Sequence, residues 1–131
     1  MSIHTLRFYC ALQGQEFDPV PLLNVEPFEI MDYYCLGDIA SKGRFKGQPL
    51  EDAYICFRSK EGGFDEFVNK LYRMKELMLQ NKAERRELHL FLGYQNQCNW
   101  WFDAEILRII GELNLDLTLS CSEIDDSSAS T

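Results

Sequence analysis

Long apolar runs are missing from this sequence: charges or turn residues interrupt every apolar cluster within a few positions. A membrane-spanning helix needs about 18–20 apolar residues in a row, so no such span is expected. The opening residues, Met1 to Arg7, lack a basic start followed by an apolar signal core, which points to a cytoplasmic protein. Histidine is scarce. His4 and His89 are the only two, each isolated in a predicted strand, whereas a metal site needs several converging ligands. Cys10, Cys35, Cys56, Cys98 and Cys121 form no CxxC or other close pair. In a reducing compartment such thiols serve as small hydrophobes rather than as a disulfide framework.

Phosphate-loop chemistry is missing too. Gly62-Gly63 precedes a helix, but no Lys-Ser/Thr follows, and Asp65 and Glu66 would oppose a phosphate. Two arrangements stay open on spacing alone. One is a mixed site of His4, His89 and a cysteine, should their strands pair. The other is a nucleophile at Cys98, whose neighbours Gln97 and Asn99 are polar but which has no base near it in sequence. Neither outweighs the plain reading, so no catalytic residue, no metal and no cofactor is expected.

Basic residues are outnumbered: 13 Lys and Arg face 21 Asp and Glu, a formal net charge of −8. Residues 1–41 contain Glu16, Asp18, Glu26, Glu29, Asp32 and Asp38 against Arg7 alone. Such a field repels phosphate backbones, which makes nucleic acid a poor partner, and attracts a basic protein. The simpler reading of the same acidity is solubility.

What the chain does have is apolar and aromatic material. Of 131 residues, 46% are hydrophobic, with nine Phe, six Tyr and two Trp. That suits one domain burying roughly two-thirds of its unfolded surface. Residues 3–12 alternate as a strand, with Leu6, Phe8, Cys10 and Leu12 on one face and Thr5, Arg7 and Tyr9 on the other. Asp18-Pro19 starts a short helix with Phe17 and Leu22 at staple positions, and Asn24-Val25-Glu26-Pro27 ends it. Residues 28–36 read as extended and 37–50, with Gly37, Gly43, Gly47 and Pro49, as a loop. A strand over 53–58 sets Ala53, Ile55 and Phe57 opposite Tyr54, Cys56 and Arg58.

The clearest helix follows Gly62-Gly63, with Phe64, Phe67, Val68, Leu71, Met74 and Met78 at the helical period. Leu88, Leu90, Leu92 and Tyr94 share a face of a strand over 87–94. Asp103 caps a helix whose apolar set is Ile106, Leu107, Ile109, Ile110 and Leu113, and Asn114 suits a left-handed stop. Leu115, Leu117, Leu119 and Cys121 alternate in a final strand, and an acidic, flexible tail is expected over 122–131. The order β-α-β-β-α-β-α-β predicts a single α+β domain over residues 1–121. Its core would be one mixed or antiparallel five-stranded sheet with helices on one face.

Three blocks carry a resemblance: the first strand leading to Phe17-Asp18-Pro19, the turn Asn24-Val25-Glu26-Pro27, and the run from Phe102-Asp103-Ala104-Glu105-Ile106-Leu107 through Leu119. Over roughly residues 3–121 the chain resembles a bacterial family of small domains of unknown function, the one numbered 4279. That family has a Gly-Ile-Glu-Pro-like turn after its first helix, and Asn24 stands here in place of the Gly. The resemblance implies a fold and no activity, and it carries over no catalytic residue.

The segment Tyr94-Gln95-Asn96-Gln97-Cys98-Asn99-Trp100-Trp101 crowds amides and aromatics where a strand–helix loop needs only turn residues. Tyr and Trp bury much area with few rotors and dominate interface hot spots. If Trp100 and Trp101 are extended they face opposite sides, one toward the core and one toward solvent. Tyr94, Gln95, Asn96, Gln97, Asn99, Trp100 and Trp101 are therefore the expected partner-binding residues. The leading expectation is a non-enzymatic binding protein, of the immunity or inhibitor type, that masks a basic protein partner. The alternative is a small-molecule-binding domain or minor enzyme with a pocket between helices and sheet. Homo-oligomerisation through an edge strand is a third.

Overall fold

The computed structural model describes residues 3–25 and 28–124, with side chains from Leu6 onward. Five strands form one sheet: β1 (Ile3–Gly14), β2 (Phe28–Tyr34), β3 (Ala53–Ser59), β4 (Arg85–Tyr94) and β5 (Asp116–Glu123). Their spatial order is β2-β3-β1-β4-β5. Every neighbouring pair is antiparallel except β4 and β5, which run parallel. A parallel pair needs a crossover, and α3 (Ala104–Glu112) supplies it. The sheet is therefore mixed, and the expected α+β class holds.

The alternation along the strands decides which face is covered. Cys10 and Leu12 of β1, Ala53, Ile55 and Phe57 of β3, and Leu88, Leu90 and Leu92 of β4 all point to one side. There they meet Phe64, Phe67, Val68 and Leu71 of α1 (Phe64–Arg73), Met78 of α2 (Lys75–Leu79), and Ile106, Ile109 and Ile110 of α3. Phe67 is the hub of this core, with its ring 5.4 Å from Phe8, 5.8 Å from Phe28 and 6.2 Å from Phe57. These side chains form the core between the helices and the sheet. No helix among the described residues is long and apolar enough to cross a membrane.

Several local expectations are corrected. The first helix is a single 3-10 turn over Val20–Leu22. Its capping logic stands, since Asp18 Oδ1 accepts from the Val20 N–H at 3.0 Å while Phe17 and Leu22 are buried. Glu26 and Pro27, expected to end that helix, lie outside the described residues. β2 stops at Tyr34 and carries a bulge, Met31 being the extra residue between the Ile30 and Asp32 pairings.

The long helix breaks at Met74, whose backbone leaves the helical region at φ −103° and ψ 28°. The bend turns Met78 into the core. Asp103 does cap α3, its Oδ1 accepting from the Glu105 N–H at 2.8 Å. Asn114 takes the left-handed stop at φ 55°. Leu107, however, is exposed, and so are Leu119 and Cys121, because the helix layer does not reach the far end of β5. β5 itself continues past the expected boundary at residue 121: Ser122 pairs with Gly93 and Glu123 with Tyr94. Residues 125–131 lie outside the description.

Arg86 is a tie that the apolar pattern conceals. It sits in phase with Leu88 and Leu90 and points to the helix side, where burial lowers its pKa. Its guanidinium donates to the carbonyls of Met78, Leu113 at 3.0 Å and Asn114 at 3.3 Å, and to Asn81 Oδ1 at 2.9 Å. One cation thus satisfies the orphan carbonyls at the ends of both α2 and α3.

Candidate functional site

With all helices on one side, the other face of the sheet is uncovered. Register pairs place Arg7 beside Phe91, Tyr9 beside His89, and Ala11 between Glu87 and Cys56. Tyr9 and His89 stack at 4.7 Å between ring centroids, and Tyr9 and Phe91 at 5.7 Å. On the same face Tyr34 stacks on Tyr54 at 5.5 Å, and Gln13 Nε2 donates to Asp52 Oδ2 at 2.7 Å and to the Tyr34 hydroxyl at 3.1 Å. The result is an aromatic floor fixed by cross-strand contacts.

The sheet is also split. On one side β1 pairs with β4 from Ile3, opposite Tyr94, to Gln13, opposite Arg85. On its other side it pairs with β3 only from Cys10, opposite Phe57, to Gly14, opposite Ala53. Beyond Phe57, β3 stays with β2, where Arg58 faces Glu29 and Ser59 faces Phe28. Between the diverging strands lies a cleft of about 800 Å³, lined among others by Arg7, Tyr9, Met31, Arg58, Phe91 and Ser120. Alternate residues along 6–9 turn their backbone N–H and C=O groups into this gap, because a strand without a neighbour still presents them. Arg58 stands on the far wall, held by a two-pronged contact to Glu29 at 3.2 and 3.3 Å.

Several ionisable groups of this face are shifted by their surroundings. Burial raises the pKa of Tyr9, Tyr34, Tyr54 and Cys56, with nearby negative charge adding to it, so phenols and thiol are held in their neutral forms. Glu87 moves the other way. Its hydrogen bond to His89, at 2.8 Å, holds its carboxyl below the ordinary value of 4.5, with Arg85 assisting at 3.2 Å. A carboxyl depressed in the folded state stabilises the fold where it is ionised, above 4.5, and loses that contribution as the pH falls through the depressed value. Glu87→Gln is therefore expected to cost about 0.5–1 kcal/mol at pH 7. The gap between the two melting curves should close as the pH drops below 4.5. A gap that stays constant down to acid pH would contradict this.

Each expected site residue can be placed. Tyr94 closes β4, and Gln95 follows it, both half-buried. Asn96, at φ 63°, is the centre of a tight turn in which the Gln97 N–H donates to the Gln95 carbonyl at 2.6 Å. Asn96, Gln97 and Asn99 are exposed. The two tryptophans separate: Trp100 packs against the core, whereas Trp101 is 87% exposed. Phe102, packed edge-on to Phe64 at 6.0 Å, anchors the loop behind them. This loop and the cleft lie at the same end of the sheet, since Tyr94 pairs with Ile3 and Glu123.

The His4 side chain lies outside the described residues, and His89 is engaged by Glu87 and Tyr9. Among the described residues no three His, Cys, Asp or Glu side chains converge. Cys98 proves half-buried, and the thiols are not all dispersed, for its Sγ lies 3.7 Å from that of Cys121. Sequence reading missed the uncovered face and the cleft. The polar phase Arg7, Tyr9, Gln13 and Arg85, Glu87, His89 was a signal for the face. Nothing in the spacing reveals where two strands part. Searches against family models, curated proteins and solved structures find no match to this chain, and they neither support nor contradict the resemblance to the 4279 family.

Proposed function

We propose that this chain is a non-enzymatic binding protein that takes an extended segment of a protein partner into the cleft between β1 and β3. The observation that carries this reading is the cleft itself, whose one wall is an unpaired strand edge beside an aromatic floor. An added strand supplies main-chain hydrogen bonds, and its alternate side chains fall on Tyr9, Phe91 and Met31. Trp101, projecting at the same end, is the anchor for the remainder of the partner. The net charge of −8 favours a partner that is basic overall, as an immunity or inhibitor-type protein would meet. The five free cysteines support a reducing, cytoplasmic setting.

Affinity capture from the native host tests this. One stoichiometric protein should be retained by the wild type. Trp101→Ala should weaken it about tenfold or more while leaving the melting temperature unchanged, and Met31→Ala with Phe91→Ala should abolish retention. Trp100→Ala, by contrast, should lower the melting temperature. The reading fails if no stoichiometric partner is recovered, or if the cleft variants bind like the wild type.

One observation favours a second reading. A cleft of about 800 Å³ flanked by Arg7 and Arg58 also has the size and charge of a site for a small organic anion. A thermal shift with carboxylate ligands, absent in Arg7→Glu, would select it over the protein partner.

A further inference from the structure

The fold brings Cys98 and Cys121 together from positions far apart in the chain, Sγ to Sγ at 3.7 Å, with the Cys98 thiol donating to Cys121. A disulfide needs about 2.05 Å, so the sulfurs must close by less than 2 Å. Both sides have room for that. Cys121 is exposed on β5, a strand with a free outer edge. Cys98 sits in the loop after Tyr94, held by side-chain packing rather than by a strand ladder. Two of the other three thiols are enclosed. Cys10 is fully enclosed in the core, and Cys56 is buried on the open face with its Sγ 3.8 Å from Met31 Sδ.

We infer that Cys98 and Cys121 are a reversible dithiol site, oxidised to an intramolecular disulfide by low-molecular-weight disulfides of the glutathione class. The exposed Cys121 thiolate attacks one sulfur of the small disulfide, forming a mixed disulfide and expelling one small thiolate. The Cys98 thiolate then attacks Cys121 Sγ, closing the protein disulfide and expelling the second. The two protein thiols lose two electrons, the small disulfide gains them, and the two protons end on the expelled thiolates. Excess reduced thiol reverses both steps.

The bond fastens a particular piece of structure. Cys121 lies opposite Leu92 in the parallel β4–β5 ladder, two residues before Glu123 pairs with Tyr94. Joining it to Cys98 pins the middle of the loop to the last strand, three residues from the projecting Trp101. A consequence for partner binding rests on the proposed function. The bond does not, and it is read separately.

The test treats the intact chain with oxidised glutathione and maps cysteines by mass spectrometry after alkylation under denaturing conditions. The expected result is a loss of two of the five free thiols, a single Cys98–Cys121 linkage, and recovery of all thiols with reduced glutathione. Cys121→Ser, an exposed position, should keep the fold and abolish the linkage. Cys98→Ala should leave a stable glutathione adduct on Cys121. The inference is overturned if the wild type shows no thiol loss, stops at a glutathione adduct on Cys121, or links either residue to Cys10, Cys35 or Cys56.

Discussion

Phe67→Ala is expected to destabilise the fold by about 3–5 kcal/mol, the range for a fully enclosed phenylalanine whose cavity cannot collapse. Phe67 has no exposed surface and touches rings from three different strands, Phe8, Phe28 and Phe57. Strand-borne rings cannot follow the lost side chain without breaking ladder pairing, so the void stays. Domains of this size have stabilities of about 5–15 kcal/mol, so the variant would sit near the edge of folding. Urea titration checks it: the midpoint should fall sharply with little change in slope. Phe67→Leu, which retains much of the volume, should lose roughly a third as much. Phe45→Ala, on a ring 55% exposed, should change stability by less than about 0.5 kcal/mol. Equal effects at Phe67 and Phe45 would refute the hub assignment.

The second large effect is expected at Arg86, where alanine should cost about 3 kcal/mol. The loss is not mainly of charge. Removing the guanidinium leaves the carbonyls of Met78 and Leu113 without this donor at partly buried sites, takes one of two donors from Asn81 Oδ1, and frees the exposed Asn114 carbonyl; unsatisfied buried acceptors are penalised individually. Asn81 already has a buried Nδ2 with no hydrogen-bond partner. Lysine should restore less than half, because one ammonium cannot span the ends of two helices as a planar fork does. Denaturant melts of the two variants decide this. An Arg86→Lys variant as stable as the wild type would show that charge alone suffices.

Much of this architecture was legible because side-chain phase is a local property. Leu88, Leu90 and Leu92 announce their strand, Phe64 to Leu71 announce their helix, and Asp103 and Asn114 mark the ends of theirs. Phase names the face a residue occupies but not the strand beside it. The parallel seating of β5, the parting of β1 from β3 and the meeting of Cys98 with Cys121 are all long-range events, and none leaves a mark in spacing. The break at Met74 was hidden for another reason: no Gly or Pro announces it, and the bend is set by where Met78 must go. Arg86 was readable in principle. A cation in phase with buried leucines asks for acceptors, and two helix ends provide them. Of the expected binding residues, the opposite fates of the two tryptophans followed from the sequence only on the condition that they are extended, and Trp100 does pack on the core while Trp101 is exposed; the aromatic floor was not readable, because it is assembled from residues of several strands.

The placement of β1 has a consequence for the order in which this chain comes off the ribosome. Of the described strands the earliest in sequence is the central one, flanked by β3 on one side and β4 on the other. Its inner-face residues, Leu6, Phe8, Cys10 and Leu12, emerge long before Arg85–Tyr94 does. β2 and β3 can pair with each other while β1 waits for its second neighbour. Until residue 94 clears the exit tunnel, the longest strand of the sheet has an open edge. The pairing of residues 3–13 with residues 85–94 therefore closes the centre of the sheet across a long stretch of intervening chain, the kind of non-local contact whose loop-closure entropy must be met before its contacts form.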